Sequence, residues 1–348
     1  MISLLVVNYR SAALAREAIR TARASSSSPL QVVVVDNSGD AAEADALRGE
    51  CDVLLVSPVN RGYAGGINDG RRACEGDAIV VTNPDVTFAP HAIDRLVAAL
   101  DAETAVAGPA LFWDDAHEWM LPPGDLGTGW QKLDELLASR SRAWADVRDR
   151  RRIRARLAFW SLAETAHVSM LSGAVLAMRA ADFDAVHGFD ERFRLYFEEA
   201  DFLRRIAERR KQIAYVPAAR CRHVYNQSAG QDRASAAARY AESERKYLEK
   251  WNGPFAARVV ERFTRPLAPH AAQPLKGALT LDREDVVVEV SPLASFATAA
   301  GHVARERRVV LPSEVREALR DDELYLRVIA RDAGRDTARV LATYKISA

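Results

Sequence analysis

Along the first hundred residues, short apolar runs alternate with stretches of helical spacing. The runs are ISLLVV (2–7), QVVVVD (31–36), DVLLVS (52–57) and AIVVTN (78–83). They are short, rich in β-branched residues and bounded by polar turns, so they predict buried strands. Helices are expected near 11–24, 41–49, 63–75 and 90–101. Strand–helix alternation predicts an α/β fold with a mostly parallel sheet covered on both faces. In such sheets ligands bind at the carboxyl ends of the strands. All four runs end in polar residues: Asn8-Tyr9, Asp36-Asn37-Ser38, Ser57 with Asn60 nearby, and Asn83 with Asp85. These ends are expected to converge on one cleft. The fourth run is interrupted by Asn83-Pro84-Asp85 before Val86. Proline has no N–H to give to a central ladder, so Asp85 is expected where the sheet stops and the chain turns into the cleft.

The pattern changes over 112–165. A Trp-, Gly- and Pro-rich irregular segment precedes a strongly basic helix, ADVRDRRRIRARLAFWSL. Strand signals return at VSMLSGAVLAMR (168–179), interrupted at Gly173. An amphipathic helix is expected from about Tyr196, a strand at 212–218 and a charged helix at 235–250. The Pro/Ala-rich stretch at 262–274 reads as a linker. Beyond it, DVVVEV, LYLRVIAR and ARVLATYKI read as strands of an antiparallel unit. The expected division is therefore a domain over 1–268 with a basic insertion at about 112–165, and a small β-sandwich-like domain over 275–348.

Composition narrows the function classes. The 348 residues suit two domains, and 49% are apolar, enough for a substantial core. Lys+Arg and Asp+Glu number 48 each, so no chain-wide field draws the protein to nucleic acid. Cys51, Cys74 and Cys221 are far apart and form no C-x-x-C pair, which reads as free thiols of a reducing compartment. No signal peptide or membrane-length run is evident, so a cytoplasmic location is expected.

Five features carry candidate chemistry. Asp36, just past a buried strand, either accepts a hydrogen bond from a ligand N–H such as a pyrimidine N3–H or caps the next helix. NRGYAGGINDG (60–70) places Gly62, Gly65, Gly66 and Gly70 in or near a helix start. Each costs about 1 kcal/mol against Ala in a helix. Either close approach of a ligand or tight packing on the sheet must offset that. Arg61 and Asn68 would supply polar contacts to a nucleotide. Asp85 suits a divalent cation bridging a diphosphate, or is simply a turn residue. In LYFEEADFLRRI (195–206), Glu199, Leu203 and Ile206 share a helix face. A desolvated Glu199 would have a raised pKa, as a general base needs; the plainer reading is charge compensation at a helix N-terminus. Glu198 is placed on another face, in line with Phe202 and Arg205, and Asp201 is expected to pair with Arg205. His223, soon after a strand, either completes a metal site or is an ordinary hydrogen-bonded histidine.

Together the segments VVNYR, VVVVDNS, NRGYAGGINDG, TNPDV, SGAVLAMR, GFDERFRLYFEEADFLRR and RHVYNQS resemble glycosyltransferase family 2, the inverting enzymes of GT-A type, in that family's order. The bacterial rhamnosyltransferase-like members look most similar, and the resemblance covers roughly 2–250. It implies nucleotide contacts from Tyr9, Asp36, Asn37, Asn60, Arg61, Gly62, Asn68 and Asn83. It implies Mg2+ or Mn2+ held by Asp85, the second acidic position of the D-x-D motif, with Asn83 at the first. His223 matches a position that completes the metal site in some members. The base is usually the Asp of an E-D pair, and here Glu199 stands in its place. The implied partners are a dTDP- or UDP-linked sugar, rhamnose or similar, and a glycan or lipid-linked acceptor of cell-surface synthesis.

Other readings stand beside this one. A nucleotidyltransferase would need a basic phosphate loop near the first strand, where NYRSAALAR offers only Arg10 and Arg16. A non-catalytic sugar-nucleotide-binding subunit is the other alternative. The basic helix over 148–160, ending at Leu157, Phe159 and Trp160, either touches an anionic membrane or is a solvated face. A homo-oligomer is left open.

Overall fold

The computed structural model describes residues 1–223, 233–267, 269–275, 277–318, 323–331 and 338–346. The chain forms two compact units. The first comprises Met1–Leu111, Gly124–Gly127 and Ala163–Pro254; the second comprises Phe112–Pro123, Thr128–Leu162 and Phe255–Ala348.

In chain order the elements reaching the middle of the sequence are β1 (Ile2–Asn8), α1 (Ala12–Ala24), β2 (Leu30–Asp36), α2 (Ala41–Leu47), β3 (Val53–Val56), α3 (Gly62–Arg71), β4 (Ala78–Thr82), β5 (Val86–Phe88), α4 (Ala92–Ala98), β6 (Thr104–Phe112), α5 (Gly129–Ala138) and α6 (Arg142–Trp160). Then come β7 (Ala166–His167), β8 (Val175–Arg179), α7 (Ala180–Ala185), α8 (Glu198–Glu208), β9 (Gln212–His223) and α9 (Arg233–Phe263). The remainder is β10 (Gln273–Pro274), β11 (Leu279–Thr280), β12 (Val286–Ser291), β13 (Ala300–Ala304), β14 (Arg308–Val309), α10 (Ser313–Ala318), β15 (Leu324–Arg331) and β16 (Ala338–Ile346).

The first unit is built on a mixed sheet ordered β3-β2-β1-β4-β8-β6-β9-β5, with β7 pairing to β9. Its first half is parallel, β2 and β4 flanking β1 in register from Ile2. Antiparallel β8 pairs with both β4 and β6. The valine-rich run of β2 is buried because helices cover both faces, as the alternation predicts. Helix α3 lies close on β1 and β2 because two of its glycines carry no side chain. A Cβ on Gly66 would stand 2.7 Å from Val7 Cγ1, and one on Gly70 would strike Leu5 and Val35. That packing offsets their cost in helix propensity.

The second unit holds α5, α6 and a five-stranded sheet ordered β10-β16-β15-β12-β13, with β11 and β14 forming a separate pair. The basic helix α6 belongs here, and its buried side explains why. Ile153, Arg156 and Trp160 are buried, and Arg156 Nη1 donates to Glu289 Oε1 on β12 at 3.1 Å. Glu289 faces Arg327 across the β12–β15 ladder, and Arg327 Nε donates to Glu289 Oε2 at 2.8 Å. Arg327 Nη1 also donates to both Asp149 oxygens on α6, at 2.9 and 2.8 Å. Glu289 and Arg327 are 0% and 1% exposed, so this chain of alternating charges is sealed from solvent. Breaking a buried pair by removing one partner costs about 3–5 kcal/mol. Among the described residues, no helix is long and apolar enough to cross a membrane.

Candidate active site

The interruption at Asn83-Pro84-Asp85 marks a change of place in the sheet. Strand β4 ends at Thr82, and Asn83 N donates to Ala174 O at 2.9 Å, extending the β4–β8 ladder by one bond. Pro84, which has no N–H to contribute, sits in the turn that follows. The chain then leaves β8 and pairs with β9, placing Val86 opposite His223. That register brings the neighbouring Asp85 to His223, with Nε2 3.4 Å from Oδ1. Asp85 is buried, and its Oδ1 has no hydrogen-bond partner. An enclosed carboxylate oxygen with a histidine beside it fits a cation supplemented by phosphate oxygens and waters. Among the described residues, no group of three or more His, Cys, Asp or Glu could hold a metal ion by itself.

The acidic pair lies at the start of α8. The helix begins at Glu198, two residues later than the sequence pattern suggests, because Tyr196 and Phe197 are both left-handed, with φ of 69° and 68°. Two consecutive non-glycine residues in that region are costly, and such strain gathers at functional sites. The later start puts both glutamates in the first turn. Glu198 is buried on the face it was expected to share with Phe202, because Phe202, one turn on, is itself in the core. Glu199 is half-buried as a residue, but its Oε2 is enclosed and unpartnered, as is Oε2 of Glu198. Burial raises both carboxyl groups above the ordinary glutamate value, Glu198 the more strongly, with the Glu199 charge adding to its shift.

Tyr63 links these acids. Its hydroxyl donates to Gly173 O at 3.0 Å. Burial pushes the phenol well above its usual value, and the charges of Glu198, Glu199 and Asp85 push it further. Asp85 and the acidic pair therefore act on one group from within the same unit. Tyr63 escaped the sequence reading; an aromatic hydroxyl inside a glycine run was the available signal. Asp201, read as structural, is fully buried and accepts from Arg205 Nε at 2.8 Å, as its spacing predicts, and from Trp251 Nε1 at 2.9 Å. Lys250 Nζ lies 2.5 Å from the same carboxylate. These contacts hold α8 against α9.

The remaining candidates divide. Asp36 is fully buried; it accepts from Asn8 Nδ2 at 2.9 Å and from Ser38 N and Oγ at 3.1 and 2.8 Å. The cap of α2 is Asp40, whose side chain accepts from Ala42 N, so Asp36 is not a helix cap. Asn37 Nδ2 donates to Gly62 O, leaving its buried Oδ1 unpartnered. Tyr9 stands exposed beyond β1. Asn60 Oδ1 accepts from Gly62 N at 2.8 Å. Gly62 has φ 77°, and a Cβ there would lie 2.5 Å from Arg194 O, so the close backbone approach at this position is the chain's own. Arg61 pairs with Glu191 at 2.7 Å and Asp69 at 3.3 Å. Asn68 exchanges two bonds of 2.9 Å with the Phe189 backbone. Arg61 and Asn68 thus clasp the loop before Phe193 to α3.

With this geometry established, comparison with known proteins is informative. N-acetylglucosaminyl-diphospho-decaprenol L-rhamnosyltransferase of Mycobacterium tuberculosis is 27% identical over 232 residues, spanning 60% of this chain and 70% of that protein, in each of two strains. Among solved structures, a mannosyltransferase from Pyrobaculum calidifontis in complex with GDP-mannose and Mn2+ superposes with a TM-score of 0.50 at 14% identity, covering 74% of this chain and 69% of that one. At that identity the likeness concerns the fold, which is GT-A-like. The family described as "Glycosyltransferase like family 2" matches residues 1–246. The chain belongs to glycosyltransferase family 2 and is an enzyme of sugar transfer.

Proposed function

We infer that this enzyme moves a deoxyhexose such as rhamnose from a dTDP- or UDP-linked donor to a hydroxyl of a glycan or lipid-linked acceptor, with inversion at the anomeric carbon. The observation that carries this is the pair of acidic positions around Tyr63, Asp85 beside His223 and Glu199 beside Glu198. The 27% identity to an L-rhamnosyltransferase supports the choice of sugar.

Glu199 is the base. Its raised pKa matches the task of holding a proton taken from an acceptor hydroxyl. The acceptor oxygen then bonds to the anomeric carbon from the face opposite the nucleotide, as the carbon–oxygen bond to the diphosphate breaks and the nucleoside diphosphate leaves. Gly173 and Tyr63 fix where that carboxylate sits. Asp85 and His223 would hold Mg2+ or Mn2+, whose charge, when bound, offsets that of the diphosphate. The polar strand ends at Tyr9, Asn37, Asn60 and Asn83 form the nucleotide side. Asp36 acts there through Asn8 and Ser38, which its carboxylate orients. Arg61 and Asn68 act by bracing the loop that covers the start of α3.

Thermal-shift measurements with UDP-, dTDP- and GDP-sugars plus Mn2+ test the donor class, because a ligand specific to the native state raises the melting temperature. A shift with a dTDP- or UDP-deoxysugar, and slow hydrolysis of that sugar nucleotide lost with EDTA, are expected. A shift confined to GDP-sugars would overturn the donor assignment.

A further inference from the structure

The sequence leaves open whether the apolar end of α6 touches a membrane or is a solvated face, and the tryptophan at that end is occupied. Trp160 is buried and its Nε1 donates to Leu121 O at 3.1 Å, while Ile153 and Arg156 face the core of their own unit. The outward side of α6 is a different stripe. At helical spacing it carries Trp144, Val147, Arg150, Arg151 and Arg154, all exposed. Trp144 is 41% and Val147 47% exposed. Asp149 falls on another side of the helix and is committed to Arg327. Exposed Asp146 borders the stripe, one turn before Arg150, and lies 3.9 Å from Arg142 Nε.

Helix α5 extends the surface. Trp130 and Leu133, one turn apart, are 80% and 40% exposed. One turn past Trp130, Asp134 binds across to α6: it accepts from Trp144 Nε1 at 2.8 Å and from Arg151 Nη2 at 2.5 Å. Arg148 Nε lies 3.3 Å from the same carboxylate. Asp134 is thereby neutralised by arginines of α6. What remains outward is two tryptophans, two aliphatic side chains and a local excess of arginine on a chain of zero formal net charge.

We propose that the α5–α6 hairpin docks on an anionic lipid surface, with Trp130, Leu133, Trp144 and Val147 entering the interface and Arg150 and Arg154 meeting the headgroups. Two physical facts favour lipid as the occupant. Indole rings and long basic side chains settle together at a bilayer boundary, the rings among the acyl ends and the cations at the phosphates. A stripe with a local excess of arginine matches a surface of uniform negative charge, where each basic residue contributes about 1 kcal/mol. The docking surface is independent of the sugar-transfer reading, so its failure would leave that reading intact.

Sedimentation of the full chain with phosphatidylcholine vesicles, and with vesicles containing phosphatidylglycerol, tests this. Binding is expected only with phosphatidylglycerol and should weaken as salt rises. The double variant Arg150→Glu/Arg154→Glu is expected to reduce binding at least tenfold. Trp130→Ser should also reduce it, without change in melting temperature, because that side chain is the most exposed of the set. Absence of lipid-dependent binding at low salt overturns the proposal. So does equal binding to both vesicle types, or binding that neither variant alters. Light scattering on the same samples provides the remaining arm. A concentration-dependent dimer abolished by these substitutions, without vesicle binding, would assign the surface to a second copy of the chain and also overturn it.

Discussion

Gly173 lies flat against Glu199: a Cβ on Gly173 would stand 3.1 Å from Glu199 Cβ and 3.2 Å from its Cγ. The glycine is where the sequence interrupts a strand signal, and the interruption makes room for the candidate base. Gly173→Ala must displace the glutamate by a few tenths of an ångström. Turnover is expected to fall about tenfold to a hundredfold, since small misplacements of a reacting group are costly. The melting temperature should change little. Steady-state transfer assays beside thermal unfolding check this; unchanged turnover would mean that Glu199 position is not critical.

Glu199→Gln keeps the shape of the side chain and removes its basicity, while Asp85→Ala removes the partner of His223. Each is expected to lower transfer at least roughly a hundredfold with the fold intact. Glu199→Gln should still bind the donor, because only the acceptor proton depends on it. Asp85→Ala should lose the metal-dependent part of donor binding. Calorimetric titration with donor and Mn2+ separates the two variants.

The pH dependence of kcat/KM follows from the direction in which burial moves Glu199. The base works as the carboxylate, so activity is lost as pH falls through its raised pKa. The acid limb of the profile is expected above the ordinary glutamate value of 4.5. It should disappear from the residual rate of Glu199→Gln. A limb at or below the ordinary value, in transfer assays at constant ionic strength, would speak against Glu199 as the base.

Glu198 offers a stability measurement. Its folded-state pKa is raised well above the unfolded value, first by burial and then by the Glu199 charge. The folded state therefore holds this proton more tightly, and native stability declines as pH rises from the unfolded glutamate value towards the raised one. Glutamine mimics the protonated acid at every pH. Glu198→Gln should match the wild type in melting temperature near pH 4 and exceed it by a few degrees at pH 8. A gain independent of pH would contradict the assignment.

Much of the first unit was legible because its information is local. The valine runs of β1, β2 and β4 are buried on both faces, as their composition predicts. The glycines of α3 announced an unusual approach, but only the structure decides its nature: Gly66 and Gly70 accommodate Val7 and Leu5, and Gly62 accommodates Arg194 O. The pairing of Asp85 with His223 depends on the β5–β9 register across a wide sequence separation, which periodicity does not encode. The burial of Glu198 beside Phe202 was not evident, because a face argument assumes one buried side. Helix α8 is embraced by more than one neighbour, and two left-handed residues shift its start. The place of α6 was hidden for a similar reason, since its charge run reads as solvated while Arg156 is sealed by Glu289.

That sealed run of alternating charges bears on how the gene can be shortened. A chain cut at the Pro/Ala-rich stretch near residue 264 would discard Glu289 and Arg327 and leave Arg156 and Asp149 without their counterions. Constructing a minimal enzyme would therefore require removing residues 128–162 together with the C-terminal strands, or retaining both.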